Sequence, residues 1–459
     1  MKQGLGGNAG RPHGEVDDTP PARGLNRRHF LGSLPGAAAL LGLAPGALRG
    51  WDHPSQVPRP EPGGRLSIPR EGSLDDDFWR ALRREFLIPM EEEFFNTGTL
   101  GSPPRRVLEA VQAHLLHTAR DIAHWDYSSP DAEYITGYNP ESVLREKLAG
   151  IMGARAKEVA LTQNATVAMN LLSNGLELEA GDEVVVLAGS HTGARGGWEL
   201  RQRRQGIRVR WVTAPRPPSD PQELFDLYRD ASGPRTCVWV VQHLTSSQGA
   251  LLFPISEMCA WARGQGIFTV VDGAQTLGHL PVDMGALGCD AFLSSPHKWL
   301  LAPAGCGVLF IREEHHRSVW ATLASSQWDN HEEGLYRLMQ YGTGNRSLLA
   351  GLEEAVDFHV ELGAERVSQR ILGLSRRLRE GLAQIPAVEL QSPTHPEFLT
   401  ATTIWGLKGM EGRQLQDELW ERGRIRVRQN SGGVRQCCHI YNSTDGVDET
   451  LQVARALAG

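Results

Sequence analysis

An acid, an amide, a hydroxyl, an imidazole and an amine fall close together at Asp272, Gln275, Ser295, His297 and Lys298. The acid ends the apolar, β-branched run IFTVV, which reads as a buried strand, and Gly273 behind it is a turn former. A second run, CDAFLSS, stops at Ser295-Pro296, where proline forbids a regular strand, so Lys298 is carried on a loop. Both charges therefore come out at the carboxyl ends of strands, the rim on which open α/β sheets bind ligands. An amine and a carboxylate facing one crevice can hold an aldehyde cofactor, the amine by a carbon–nitrogen double bond and the acid against a ring nitrogen.

Pyridoxal 5'-phosphate is the cofactor which that chemistry suits. A carboxylate 4 Å from a pyridinium is worth roughly 4 kcal/mol at an effective dielectric near 20, enough to keep the ring protonated as an electron sink. Lys298 must shed its proton to act as nucleophile or base, and a partly desolvated, cation-rich pocket lowers its pKa from about 10.4. Alone, Lys298 reads as a surface lysine at a strand end; the set points to the cofactor.

The stretch VDGAQTLGHLPVDMGALGCDAFLSSPHKWL resembles the signature of the class V aminotransferase family, fold type I pyridoxal-phosphate enzymes that include cysteine desulfurases and isopenicillin N epimerases. The likeness runs from about Phe94 to the C-terminus. It implies an α/β fold, a mostly parallel sheet with flanking helices, followed by a smaller α+β domain. By that resemblance Asp272 pairs with the pyridine nitrogen, Gln275 bonds the ring hydroxyl, and Ser295 and His297 hold the phosphate. Lys298 forms the Schiff base and shuttles the proton. Ala165 and Thr166 are implied to hold the phosphate too, and His191 to stack on the ring, with Trp198 at the spacing of the family's tryptophan. Ser246 is implied to lie at the cofactor; desulfurases usually carry asparagine there, and the departure leans toward the epimerase- and transaminase-like branch. Phe94-Phe95-Asn96-Thr97-Gly98-Thr99-Leu100-Gly101 resembles the loop on the substrate side of the cleft, which places Asn96 at the substrate. Arg435, ahead of Tyr441-Asn442, matches the arginine that takes the substrate α-carboxylate. Thr343, within Gln340 to Asn345, is implied to reach the phosphate of a neighbouring subunit, hence a homodimer with shared active sites.

Read from the residues themselves, several of these positions keep a second meaning. The helix beginning near Ala165 offers free N–H groups and a positive dipole end for a phosphate, or is simply a capped structural helix. His191 follows the strand VVVLAG and is equally a hydrogen-bonded strand-end histidine. Alternation along Ile425 to Asn442 aims Arg435 at the cleft, where a guanidinium fork suits a carboxylate, or leaves it on a strand surface. Gly189, Gly193, Gly196 and Gly197 make no dinucleotide fingerprint, which disfavours a nicotinamide enzyme.

The elements that must position these groups follow from length and punctuation. A chain of 459 residues buries a large core, and its net charge of -7 without long basic tracts argues against nucleic acid as a partner. Residues 1–50 contain Asn26-Arg27-Arg28-His29-Phe30-Leu31 before LGSLPGAAALLGLAPGAL, which resembles a twin-arginine export signal, against the alternative of a disordered basic tail. Export by that machinery implies an extracytoplasmic or periplasmic enzyme; the cytoplasm is the alternative. Residues 51–72 read as a linker, 73–345 as the large cofactor-binding domain with its N-terminal helices, and 346–459 as the small α+β domain. Ser73 is expected to cap a helix through Leu87, and AGCGVLFIR to form an edge strand. The side-chain pocket is assigned to 124–138 and 324–341. No Cys-x-x-Cys or other metal spacing appears among the six cysteines, so no metal site is expected.

Reaction type is the harder reading. A desulfurase needs a nucleophilic cysteine on the loop before the carboxylate arginine, and RQNSGG has none. The expectation is a pyridoxal-phosphate enzyme acting on an amino acid, epimerase- or aminotransferase-like. A carbon–sulfur lyase or cysteine desulfurase is the alternative, and a non-catalytic cofactor- or partner-binding relative the second.

Overall fold

Runs such as VVV, VWVV and FTVV have no polar face, so they form strands only where both faces of a sheet are covered. In the computed structural model, which describes residues 66–70, 72, 74–121 and 140–459, they do so. The strands, in chain order, are β1 Glu93–Phe94, β2 Val159–Thr162, β3 Glu183–Leu187, β4 Arg208–Val212, β5 Thr236–Gln242, β6 Phe268–Asp272, β7 Ala291–Ser294 and β8 Gly307–Ile311. They continue with β9 Val388–Leu390, β10 Thr402–Leu407, β11 Ile425–Arg426, β12 Arg428–Asn430 and β13 Gly433–Cys437. The export-signal stretch, Ser73 and the pocket segment 124–138 lie outside the described residues.

The main sheet has the order β2-β8-β7-β6-β5-β3-β4. All its strands run one way except β8, which is antiparallel to both β2 and β7. This is the α/β architecture expected, a mostly parallel sheet with helices on its faces. Each fully buried Val or Leu in these strands contributes roughly 1.5–3 kcal/mol.

Two local expectations are corrected. AGCGVLFIR supplies not an edge strand but β8, an interior one, and every residue of β8 is buried. The edge beside it is taken by β2, whose residues are buried as well, so burial of both faces does not by itself tell an interior strand from a covered edge. The helix expected to reach Leu87 spans Asp76–Leu82 and is capped by Asp75, whose Oδ1 accepts from Phe78 N at 2.8 Å. A tight turn at Arg83–Glu85 follows, and Phe86 becomes extended, setting its ring edge-on to Tyr441.

Beyond the main sheet, β12-β13-β10-β9 form an antiparallel sheet with its own core. That core takes in Trp79, Leu82, Phe86 and Phe95 from the start of the described chain, and β1 pairs parallel with β11. It also takes in Trp299 and Leu301, the residues immediately beyond Lys298. The lysine loop is thus seated on one sheet and clamped from behind by the core of the other.

Candidate active site

Every loop that leaves the carboxyl end of β2, β3, β5, β6 and β7 opens into one cavity of about 550 Å³. Its walls include Ala165, Thr166, His191, Ser246, Asp272, Gln275, Ser295, His297, Lys298 and Arg435. Asn96 stands behind this wall and reaches it through Arg435. Thr343 is exposed and lies outside the cavity lining of its own chain.

Lys298 is held by a turn in which its N–H donates to Ser295 O at 3.1 Å, while Gly101 N donates to His297 O at 2.9 Å. Gly101 has no freedom to change, because a Cβ there would lie 2.0 Å from Lys298 O. Burial lowers the lysine pKa, Arg435 lowers it further, and Asp272 opposes them. Asp272 ends β6 opposite Gln242 of β5, and its Oδ1 accepts from Ala274 N at 3.0 Å. Burial raises its pKa, against the Ala274 N–H and the charges of Lys298 and His191. Burial thus favours the neutral form of each group while the charge of each favours the ionised form of the other, and a neutral amine is the nucleophilic one.

Beside the lysine loop the helix Ala165–Gly175 begins. Its cap, Asn164, accepts from Val167 N at 3.0 Å, and Ala165 N donates to Ser295 Oγ at 3.1 Å. The Thr166 N–H has no hydrogen-bond partner among the described residues, leaving a donor at the positive end of the helix dipole. Nearby, Nδ1 of His297 and Oγ of Ser190 are buried without partners. His191 caps the helix Thr192–Gln205, its Nδ1 accepting from Gly193 N at 3.1 Å, so the neutral ring carries its proton on Nε2. Burial and the neighbouring Lys298 lower its pKa, against the pull of Asp272.

Gln275 is fixed at both ends of its amide: Nε2 donates to Gly98 O at 3.0 Å and Oε1 accepts from Trp299 Nε1 at 2.8 Å. One amide hydrogen remains for a ligand. Arg435, buried on β13, donates through Nη2 to Asn96 Oδ1 at 3.0 Å and Thr99 Oγ1 at 2.6 Å, and through Nη1 to Ser246 O at 3.3 Å. Its Nε is unpartnered, and none of these partners is a carboxylate. A buried guanidinium with only neutral partners is a receptor for an incoming anion.

Trp198 is not part of this site; it is fully buried in the core, where Nε1 donates to Met169 Sδ at 3.3 Å. Sequence reasoning missed Gln242, Thr99, Trp299 and Arg428. Trp299 directly follows the lysine, and Arg428 stands in register with Arg435, so a hairpin drawn from the Ser431-Gly432-Gly433 turn was the available signal for the latter.

Comparison with known proteins gives the site a context. The family model described as aminotransferase class-V matches residues 94–456. An isopenicillin N epimerase of Streptomyces clavuligerus is 31% identical over 402 residues, which span 83% of this chain and 98% of the relative. A probable cysteine desulfurase of Synechocystis is 28% identical over 391 residues, 79% of this chain and 90% of that protein. The apo structure of a cysteine desulfurase from Thermococcus onnurineus shares the fold, with a TM-score of 0.72 at 22% identity over 86% of this chain and 98% of the other.

Proposed function

Because the chain belongs to the class V aminotransferase family, we propose that it is a pyridoxal-phosphate-dependent enzyme acting on an amino acid, of the epimerase or aminotransferase kind. The observation that carries this is the placement of Asp272 and Lys298 on one cavity, each altering the protonation of the other. The residues present fit the cofactor. Two buried polar atoms without partners, on Ser190 and His297, stand with the helix N-terminus at Ala165, as a phosphate requires.

In this reading the phosphate is held by Ala165, Thr166, Ser295 and His297, and the ring by Asp272, Gln275, His191 and the Ser246 loop. Bound there, the cofactor supplies an electron sink for charge developing at the amino-acid α-carbon. Lys298 Nζ, whose pKa burial lowers, would hold the cofactor through its aldehyde and is placed to take and return the proton at the amino-acid α-carbon. Asp272 would hold a positive ring nitrogen, His191 would pack on the ring, and Arg435, braced by Asn96, would orient the α-carboxylate. A desulfurase reading is weakened because Cys437 and Cys438 are buried at the end of β13. Cys437 Sγ accepts from Thr402 Oγ1 of the neighbouring strand at 3.6 Å, which places that thiol within the sheet and not on a mobile loop.

The purified protein should be yellow, and borohydride should fix the cofactor to the wild type but not to Lys298→Ala. A colourless protein indifferent to added cofactor sinks the assignment. An amino-acid panel read by product mass and α-deuterium washout then separates epimerase, transaminase and lyase.

The same reading includes a homodimer in which Thr343 completes the partner's phosphate site, supported by its exposure outside its own cavity; a monomer in sedimentation of active enzyme counts against it. It also includes twin-arginine export, supported by Arg27-Arg28 ahead of an apolar stretch. Replacing both by lysine should strand the precursor in the cytoplasm, and unchanged export argues for another route.

A further inference from the structure

One cation on the cavity wall is given no partner by the function proposed above. The cavity wall carries Lys298, Arg428 and Arg435 against one carboxylate, Asp272. On the function proposed above, Lys298 and Asp272 are committed to the cofactor and Arg435 to the α-carboxylate, which leaves Arg428 without a role.

Its position is not accidental to the fold. Arg428 on β12 is the Cα partner of Arg435 on β13 in an antiparallel pair, so both side chains leave the same face of the sheet, their Cβ atoms roughly 4.5–5.5 Å apart. Like charges directly opposite one another are destabilising, and here no acid relieves them. Arg428 makes no side-chain hydrogen bond or ion pair among the described residues, and Arg435 is met by Asn96, Thr99 and the Ser246 carbonyl, all neutral. Asn430, on the same face two residues along, donates to Ser247 O at 3.2 Å, which shows that this face looks at the loop after β5 and so into the cavity. Arg435 is buried at the base, whereas Arg428 is exposed toward the mouth. The groups assigned to the phosphate sit at the start of the helix Ala165–Gly175 and on the loop after β7, where Ala165 N donates to Ser295 Oγ at 3.1 Å.

We propose that Arg428 and Arg435 together select an amino acid bearing a second anionic group on its side chain, Arg435 taking the α-carboxylate and Arg428 the distal anion. The pair is then a ruler: a dianionic substrate relieves the repulsion between the two guanidiniums, and a monocarboxylic one leaves it in place.

The test is a titration of holoenzyme, followed by the change in the cofactor absorption band. Dicarboxylic amino acids of four to six carbons are compared with unbranched monocarboxylic ones of equal carbon count, in wild type, Arg428→Gln and Arg428→Lys. The wild type should prefer the dicarboxylic series by at least tenfold. Arg428→Gln should erase most of that ratio, Arg428→Lys should keep part of it, and added salt should shrink it. An equal loss for both series, or no loss for either, overturns the proposal. So does a rise in the cofactor dissociation constant of Arg428→Gln with selectivity unchanged, which assigns the arginine to the phosphate. A wild type whose band responds to no amino acid of either series sinks the amino-acid reading, and this proposal with it. Because Arg428 is exposed and its charge opposes that of Arg435, Arg428→Gln should unfold at the wild-type temperature or slightly above it and Arg428→Lys close to it, so a changed ratio reports recognition and not unfolding.

Discussion

Trp299 Nε1 donates to Gln275 Oε1 at 2.8 Å, so the residue directly after the lysine dictates which way the amide on the cavity wall faces. Without that bond an amide can flip. With it, and with Nε2 tied to Gly98 O, only one N–H of Gln275 can point at a ligand. Trp299 is itself held by stacking on His279, with ring centroids 3.9 Å apart, and its carbonyl accepts from His439 Nε2 at 3.0 Å. The core of the antiparallel sheet thereby sets an atom of the site.

Trp299→Phe should separate this positioning role from mere packing. The ring volume is partly replaced, but Gln275 Oε1 is left buried and unpaired, which costs about 1–3 kcal/mol. The variant should unfold at lower urea, bind the cofactor more weakly and show a shifted absorption maximum. Lost stability with the wild-type band and affinity would mean that Gln275 does not read the ring.

Arg435→Ala removes a charged hydrogen-bonding partner of the substrate carboxylate, worth about 1.5–3 kcal/mol, or roughly ten- to two-hundredfold in KM. Amines that lack a carboxylate should be handled much as before. Arg435→Lys should recover little, because a single ammonium cannot bridge Asn96 and Thr99 on one side and Ser246 on the other. Equal damage to amino acids and amines defeats the carboxylate assignment.

What the sequence discloses follows the reach of its signals. Asp272 and Lys298 were legible because each ends an apolar run at a turn former or a proline, and such punctuation acts within a few residues. β8 was misplaced because GVLFI states that both its faces are buried but not between which neighbours it lies. Arg428 was passed over because its meaning depends on register, and a slip of one residue would turn it to the other face. For Trp198 the sequence offered only a spacing, and the packing of the helix Thr192–Gln205 against the helix Ala165–Gly175 turns it inward to Met169. Trp299 was hidden for the same reason: its partners come from Gln275, His279 and His439, and His439 belongs to the C-terminal half of the chain.

The histidines around Trp299 make the fold sensitive to acid, and the sign follows from their bonds. His279 donates from Nδ1 to Gln275 O at 2.9 Å and accepts at Nε2 from Ala401 N at 2.8 Å. His439 is the reverse tautomer, donating from Nε2 to Trp299 O and accepting at Nδ1 from Ile440 N at 2.9 Å. Each is satisfied only when neutral, since a second ring proton would be driven against a backbone N–H. Burial accordingly lowers both pKa values to about 3, and that of His243 to about 4. Above the unfolded value of about 6.5 these rings are neutral in both states and cost nothing. As the pH falls below that value the unfolded chain takes up protons that the folded chain refuses. Stability is then lost at up to about 1.4 kcal/mol per histidine per pH unit, until the folded pKa values are reached. Urea midpoints measured from pH 7.5 down to about 4.5 should therefore fall steadily. His439→Gln, whose side chain titrates in neither state, should show a shallower slope by close to one proton; an unchanged slope would mean that His439 takes up its second ring proton as readily in the folded protein as in the unfolded chain.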